Sequence, residues 1–326
     1  MKICIYGAGA IGGYVATKLL KSGHDVHLIA RGETLKIIKN NGITVFNGIS
    51  KEQVSVKASN EPPNEKQDYV FVATKTTALL QIASNLQRLA HNGSVFIPLM
   101  NGIPHWYFFG LNSIWKDTRI ACLDPNGVIS NAMPWEQIIA CVVYPACELI
   151  SPGVIKHTYG NRLSLGELTG EKTTRISDLS KILNQAGLKA PVRTNIRNEI
   201  WVKLLGNLAL NAISALTSST IEQILANPKT EWLTRKLMLE TESVAKALEI
   251  KIPISIEKRI DGARQVGSHK TSMLQDLENG RDMEIDSIIT AVQELGTYVN
   301  RDTPTIDTIL ALLKQRATLS NCYHTK

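Results

Sequence analysis

Apolar and polar positions divide the chain into two stretches of different period. Short apolar runs at residues 2–6, 26–30, 69–73 and 94–99 alternate with helical patterns over 11–20 and 78–90. That rhythm of strand and crossover helix builds a doubly wound parallel sheet. Residues 111–170 are less regular, with apolar runs at 138–143 and 153–157 separated by turns, and they are expected to complete the sheet with strands of mixed direction. A helix over 177–185 stops at Gly187, and 188–192 reads as a last strand. From about residue 195 the pattern is helical almost to the end, with long amphipathic candidates at 229–247 and 285–298. The boundary is therefore expected near residue 190, giving an α/β domain over 1–190 and an all-helical domain over 191–326.

One helical stretch, residues 199–211, is apolar except for a single polar row. Lys203, Asn207 and Asn211 are four apart and share a face. Their neighbours Ile200, Trp201, Leu204, Leu205, Leu208 and Leu210 mark the helix as mostly buried. A lysine and two asparagines are costly there unless something polar faces them. Taken alone, the row is equally readable as the solvated side of an amphipathic helix.

Gly7-Ala8-Gly9-Ala10-Ile11-Gly12 follows the first apolar run and opens the first helical pattern. In that strand-turn-helix context GxGxxG is the Rossmann fingerprint: glycines permit a tight turn, close approach of a pyrophosphate and tight helix-on-strand packing. The helix start offers amides and a positive dipole end to phosphate. At the end of the second strand an acid would bind a ribose hydroxyl and an arginine a 2′-phosphate. Arg31 stands there, which favours NADP over NAD, with Glu33 close by as a counterweight. Lys75 and Asn101 sit at the ends of the next two strands, where doubly wound sheets gather ligands, and each also has a plain reading, as a surface lysine and as an Asn-Gly turn.

Composition narrows the classes. Hydrophobic content of 44% excludes a disordered chain. No run of 18 or more uncharged apolar residues suggests a membrane span, and no cleavable leader pattern precedes the glycine turn. The net charge of +7 comes from 36 Lys and Arg spread among 29 acids, without a basic block or a nucleic-acid motif, so an anionic small ligand fits the charge and nucleic acid is not expected. Five cysteines without paired short spacing suggest neither a zinc site nor a disulfide framework and point to a reducing cytoplasm.

The segment Ser268 to Asp276 contains a capping signal before an apolar turn, and Asn279-Gly280 then interrupts it. An unbroken helix would hold Ser272 and Glu284 about 18 Å apart. A break at Gly280 lets the chain fold back so that both face one pocket, although Glu284 alone is also readable as a dipole-favoured first-turn acid.

GAGAIG, Thr74-Lys75, Asn101-Gly102, the Lys203/Asn207/Asn211 helix and TSMLQD followed by MEID together resemble the ketopantoate reductase (2-dehydropantoate 2-reductase) family over nearly the whole chain. The resemblance implies NADPH-dependent reduction of a small 2-oxo acid, chiefly ketopantoate to pantoate for pantothenate and coenzyme A synthesis. It implies that Lys203 is the general acid, that Glu284 partners it or the cofactor, and that Asn207, Asn211 and Ser272 hold the substrate. Asn101 would lie where cofactor and substrate meet, and residues 7–12 with Arg31 and Lys75 would bind NADPH; the region of Ala146 and Cys147 is also expected near the cofactor. The chemistry agrees, because a carbonyl oxygen receiving hydride at its carbon needs a proton and charge stabilisation, and a lysine, with an ordinary pKa of about 10.4, supplies both without a metal. Three departures put the substrate in question: Ile221-Glu222 where many members have Asn-Gly, Met100 where Gln is common, and a longer segment over 117–136. The alternatives are another branched or aromatic 2-oxo acid, or a non-catalytic NADPH-binding regulator. The long striped helices after residue 228 suit a homodimer.

Overall fold

The structure, a computed structural model, describes residues 1–324. The described residues separate into two compact units, one of residues 1–100, 108–118 and 127–196, the other of residues 101–107, 119–126 and the chain from 197 onward.

The first unit is built on five parallel strands, β1 (Ile3–Tyr6), β2 (Val26–Ile29), β5 (Lys57–Ser59), β6 (Tyr69–Val72) and β7 (Val95–Pro98), in the order β5-β2-β1-β6-β7. β1 and β7 are buried along their whole length and β6 along all but its first residue, so they read as continuous apolar runs, as expected of strands covered on both faces. Crossovers run through α1 (Ala10–Lys21) and α3 (Leu79–Leu89).

Residues 32–68, polar overall, hold more structure than their composition suggests. They form α2 (Gly32–Asn41), β3 (Ile43–Phe46), β4 (Lys51–Val54) and β5. These strands are short and half exposed, which hides their period. The expectation that residues 111–170 complete the parallel sheet needs correction. β9 (Ala146–Ser151) and β10 (Val154–Tyr159) join β3 and β4 in a separate sheet of order β4-β3-β10-β9. β8 (Ile139–Val143) and β11 (Leu163–Glu167) pair antiparallel, and Ile138, just before β8, meets β7 through the isolated bridge Phe96↔Ile138. The reason lies in α1, which is covered on a second side by β10: a Cβ on Gly13 would fall 2.4 Å from Ile155 Cδ1. Residues 188–192 make only isolated bridges, Arg162↔Lys189 and Leu165↔Val192, rather than a strand. The helix expected over 177–185 starts earlier, as α5 (Thr174–Gln185), because Thr173 caps it.

The second unit is helical: α6 (Ile196–Thr217), α7 (Ile221–Ala226), α8 (Pro228–Ala247), α9 (Ile256–Arg264), α10 (Ser272–Glu278), α11 (Ala291–Tyr298) and α12 (Pro304–Leu319). α6 is the one described helix long and apolar enough to cross a membrane, and 72% of its apolar window is buried inside the protein. The helix expected over 285–298 is not uniform, since Asp286–Thr290 forms a π-helical turn before α11. None of the five cysteines forms a disulfide among the described residues.

Candidate active site

In the first unit β1 turns directly into α1. Gly7 has φ +112°, and a Cβ there would lie 2.9 Å from the Ala73 backbone just past β6. A Cβ on Gly12 would lie 2.0 Å from Gly7 O. Neither position has room for a side chain, so the turn closes on itself and on the end of β6. Gly9, the N-cap of α1, is different: an ideal Cβ there meets nothing within 4 Å. Ala8, Ala10 and Ile11 are half-buried around it, and no acid occupies the first turn of α1. The open backbone at Gly9 therefore leads to amides at the positive end of the helix dipole.

Just beyond β6, Thr74 Oγ1 is buried without a hydrogen-bond partner among the described residues. Lys75 is half-buried and precedes the 3-10 turn Thr76–Ala78. Arg31 is exposed and extended at the end of β2, as the N-cap of α2. A closed glycine turn, an open helix start and a buried hydroxyl with unused capacity fit the pyrophosphate of a dinucleotide, with Arg31 beside the second strand for the ribose end. Ala146 and Cys147 lie in β9, paired with Tyr159 and His157, and burial pushes the Cys147 thiol up to about 12.

In the second unit the polar row of α6 is not a solvated face. Trp201, Leu204, Leu205, Leu208 and Leu210 are buried, Lys203 and Asn207 are half-buried, and Asn211 is 5% exposed. Lys203 Nζ donates to Asn101 Oδ1 at 2.6 Å. Asn101 Nδ2 in turn points at Glu284 Oε2, at 3.5 Å, the long limit of a hydrogen bond. The amide thus stands between an ammonium and a carboxylate brought together from distant parts of the chain. Asn207 makes no side-chain hydrogen bond among the described residues, and Asn211 Nδ2 is buried without one. An amide group buried in that state costs free energy that a polar ligand would recover.

The position of Asn101 is fixed from two sides. Along α6, Trp201 Nε1 donates to Tyr107 Oη at 2.7 Å and Arg197 Nε to Tyr107 O at 2.7 Å. From the π-helical turn, Ser287 O accepts from Ile103 N at 2.7 Å. Gly102 has φ +86°, and a Cβ there would fall 2.3 Å from Ser287 O. Only glycine fits both the left-handed backbone and the close approach. The neighbouring segment 119–126 is held by Glu294, which accepts from Ala121 N at 2.5 Å and Cys122 N at 2.9 Å. Burial pushes the Glu294 carboxyl up, but hydrogen bonds from Tyr298 and these amides hold it below the usual range.

Thr271, not Ser272, caps α10, and the chain does break after it, with Gly280 at φ +60°. Ser272 is exposed and its hydroxyl makes no hydrogen bond among the described residues, so the structure brings Lys203, Asn101 and Glu284 together without it. One pairing escaped the sequence reading. A Cβ on Gly206 would lie 2.2 Å from Arg259 Nη2, so a guanidinium lies against α6 between Lys203 and Asn207 in sequence. The available signal was a glycine in the middle of an otherwise strong helix.

Residues 3–170 match the family model described as ketopantoate reductase PanE/ApbA, and residues 195–317 match ketopantoate reductase PanE/ApbA C terminal. The chain is similar to a 2-dehydropantoate 2-reductase of Mesorhizobium japonicum, 45% identical over 99% of this chain and 100% of that protein. It also resembles a crystal structure from Ralstonia solanacearum, provisionally assigned as a ketopantoate reductase, with a TM-score of 0.92 and 35% identity over 99% of both chains. A D-mandelate dehydrogenase solved with NADH and anilino(oxo)acetate shares the fold, with a TM-score of 0.85 and 24% identity over 99% of this chain and 100% of that one.

Proposed function

Because the chain belongs to the ketopantoate reductase family, we propose that it reduces a 2-oxo acid with NADPH, and that the substrate is ketopantoate, converted to pantoate for pantothenate synthesis. The observation that carries this reading is the Lys203–Asn101 hydrogen bond at 2.6 Å with Glu284 on the other side of the same amide.

When bound, the reduced nicotinamide supplies the hydride that forms the new C–H bond at the substrate's C2. As the carbonyl electron pair moves onto oxygen, Lys203 stabilises the developing charge and delivers the proton that completes the hydroxyl. Asn101 accepts from the Lys203 ammonium and so sets its direction, while Glu284 acts on that arrangement through the Asn101 amide. Asn207, Asn211 and Ser272 supply neutral donors and acceptors for the carboxylate and hydroxyl groups of the substrate. Gly7, Ala8, Gly9, Ala10, Ile11 and Gly12 would hold the pyrophosphate on the start of α1, and Thr74 and Lys75 lie at the adjoining strand end. Arg31 is the basis for preferring NADPH to NADH, since a guanidinium pairs with a 2′-phosphate and gains little from a hydroxyl.

The purified protein should oxidise NADPH with ketopantoate, and a panel of 2-oxo acids at fixed NADPH ranks the substrates by kcat/KM. A ranking led by another branched or aromatic 2-oxo acid favours the second reading, for which the observation is Ile221. It starts α7 buried, at a place where many family members carry an amide side chain. Tight NADPH binding with no turnover of any 2-oxo acid would leave only the regulator. The free thiols suit a reducing compartment such as the cytoplasm. A homodimer is supported by Trp232 and Leu239, exposed seven residues apart on α8, and sedimentation velocity would distinguish it from a monomer.

A further inference from the structure

We propose that Arg259 is an anion-binding residue of the substrate site and anchors the carboxylate of the 2-oxo acid; this rests on the reductase reading above. Arg259 is half-buried on α9, whose buried residues Ile256, Ile260 and Ala263 hold that helix in the second unit. Its guanidinium fills the space that a side chain at residue 206 would take. A Cβ on Gly206 would lie 2.2 Å from Nη2, 2.6 Å from Cζ and 2.7 Å from Nε. A glycine inside a long helix forfeits roughly 1 kcal/mol relative to alanine, and here it clears a seat for a planar cation.

The seat lies where the chemistry needs an anchor. Gly206 follows Lys203 by three residues, about 4.5 Å along the helix axis. A 2-oxo acid carries its carboxylate on the carbon next to its carbonyl, so a group that grips the carboxylate must stand within a few ångströms of the group that protonates the carbonyl oxygen. A guanidinium fork matches two carboxylate oxygens, which an asparagine or serine does not. A second observation points to a ligand at the same helix: Asn211 is 5% exposed and its Nδ2 has no hydrogen-bond partner among the described residues. Lys203 of α6 and Arg259 of α9, the second seated at Gly206 one turn after Lys203, give this stretch of α6 two cationic groups that suit an anionic ligand.

Two variants separate the role from packing. Arg259→Met removes the charge and keeps much of the length. Gly206→Ala keeps the charge and pushes the guanidinium off its seat. Direct calorimetric binding of ketopantoate to the NADP-loaded protein, together with steady-state rates, is compared with the methyl ester of the same acid, which keeps the ketone and lacks the charge. Both variants should weaken binding of the acid and raise its KM by about 10- to 100-fold, with a smaller fall in kcat, unchanged NADPH affinity and no comparable loss for the ester. In a third variant, Arg259→Ala, which empties the seat, added guanidinium ion should restore part of the loss. Unchanged binding of the acid in Arg259→Met, or equal losses for acid and ester, would overturn the assignment. Wild-type protein that binds ketopantoate without reducing it would contradict the reductase reading and leave Arg259 to be judged by binding alone; wild-type protein that binds no 2-oxo acid would overturn both.

Discussion

At residue 102 a single methyl group would have two costs. Gly102 holds φ +86°, and its missing Cβ lies 2.3 Å from Ser287 O. Gly102→Ala should therefore destabilise the protein by about 1–3 kcal/mol and move Asn101 off Lys203, so that melting temperature and kcat fall together. Unchanged kcat in a folded variant would show that Asn101 does not need this turn. Arg31 gives a second test at this scale. Arg31→Ala should lower kcat/KM with NADPH by about 10- to 100-fold and leave the NADH value nearly unchanged, whereas equal losses with both cofactors would remove the basis for NADPH preference. The polar row of α6 was legible in the sequence, because Lys203, Asn207 and Asn211 repeat at helical spacing in an apolar context. What the spacing could not reveal was which distant groups meet the row. Asn101 reaches Lys203, and Arg259 reaches Gly206 of the same helix, through tertiary approach, and Ser272, singled out by its segment, stays exposed.

Among the elements, segment 101–107 does more than a strand-end turn. Tyr107 is gripped by Arg197 and Trp201 of α6, and His105 is 4% exposed within it. Burial pushes His105 from the ordinary 6.5 down to about 4, partly opposed by the Asp124 carboxylate. The folded protein therefore keeps the ring neutral where the unfolded chain takes up a proton. Its contribution to stability is complete above about pH 6.5 and is lost as the pH falls towards 4, on the order of 3 kcal/mol in all. In urea titrations at pH 7 and pH 4.5 the wild-type protein should lose more stability than His105→Gln; identical losses would contradict the neutral buried ring. The element pattern was readable where strands are buried on both faces, as in β1, β6 and β7. It failed for β3, β4 and β9, which are only four to six residues long and mostly half-buried or exposed, and for the pairing of the run that became β10, which joins β3 out of chain order. The π-helical turn at Asp286–Thr290 was equally hidden, because one inserted residue scarcely alters a short apolar pattern.

For the whole molecule, the division of labour follows the chemistry. The first unit carries the glycine turn, Thr74 and Arg31; the second collects Asn101, Lys203 and Glu284 although Asn101 lies more than a hundred residues upstream of Lys203. Segments 101–107 and 119–126 belong to the helical unit, so Asn101, Lys203 and Glu284 are assembled on one body rather than split by chain order. The proposed role of Lys203 is to protonate the carbonyl oxygen of a 2-oxo acid as hydride arrives at its carbon. The most direct measurement is the rate of NADPH oxidation with saturating ketopantoate for wild-type protein and Lys203→Ala, with NADPH binding followed in parallel by fluorescence. In the variant kcat should fall about 10²- to 10⁴-fold with NADPH affinity unchanged. Wild-type turnover in the variant, or no wild-type turnover of any 2-oxo acid, would contradict it.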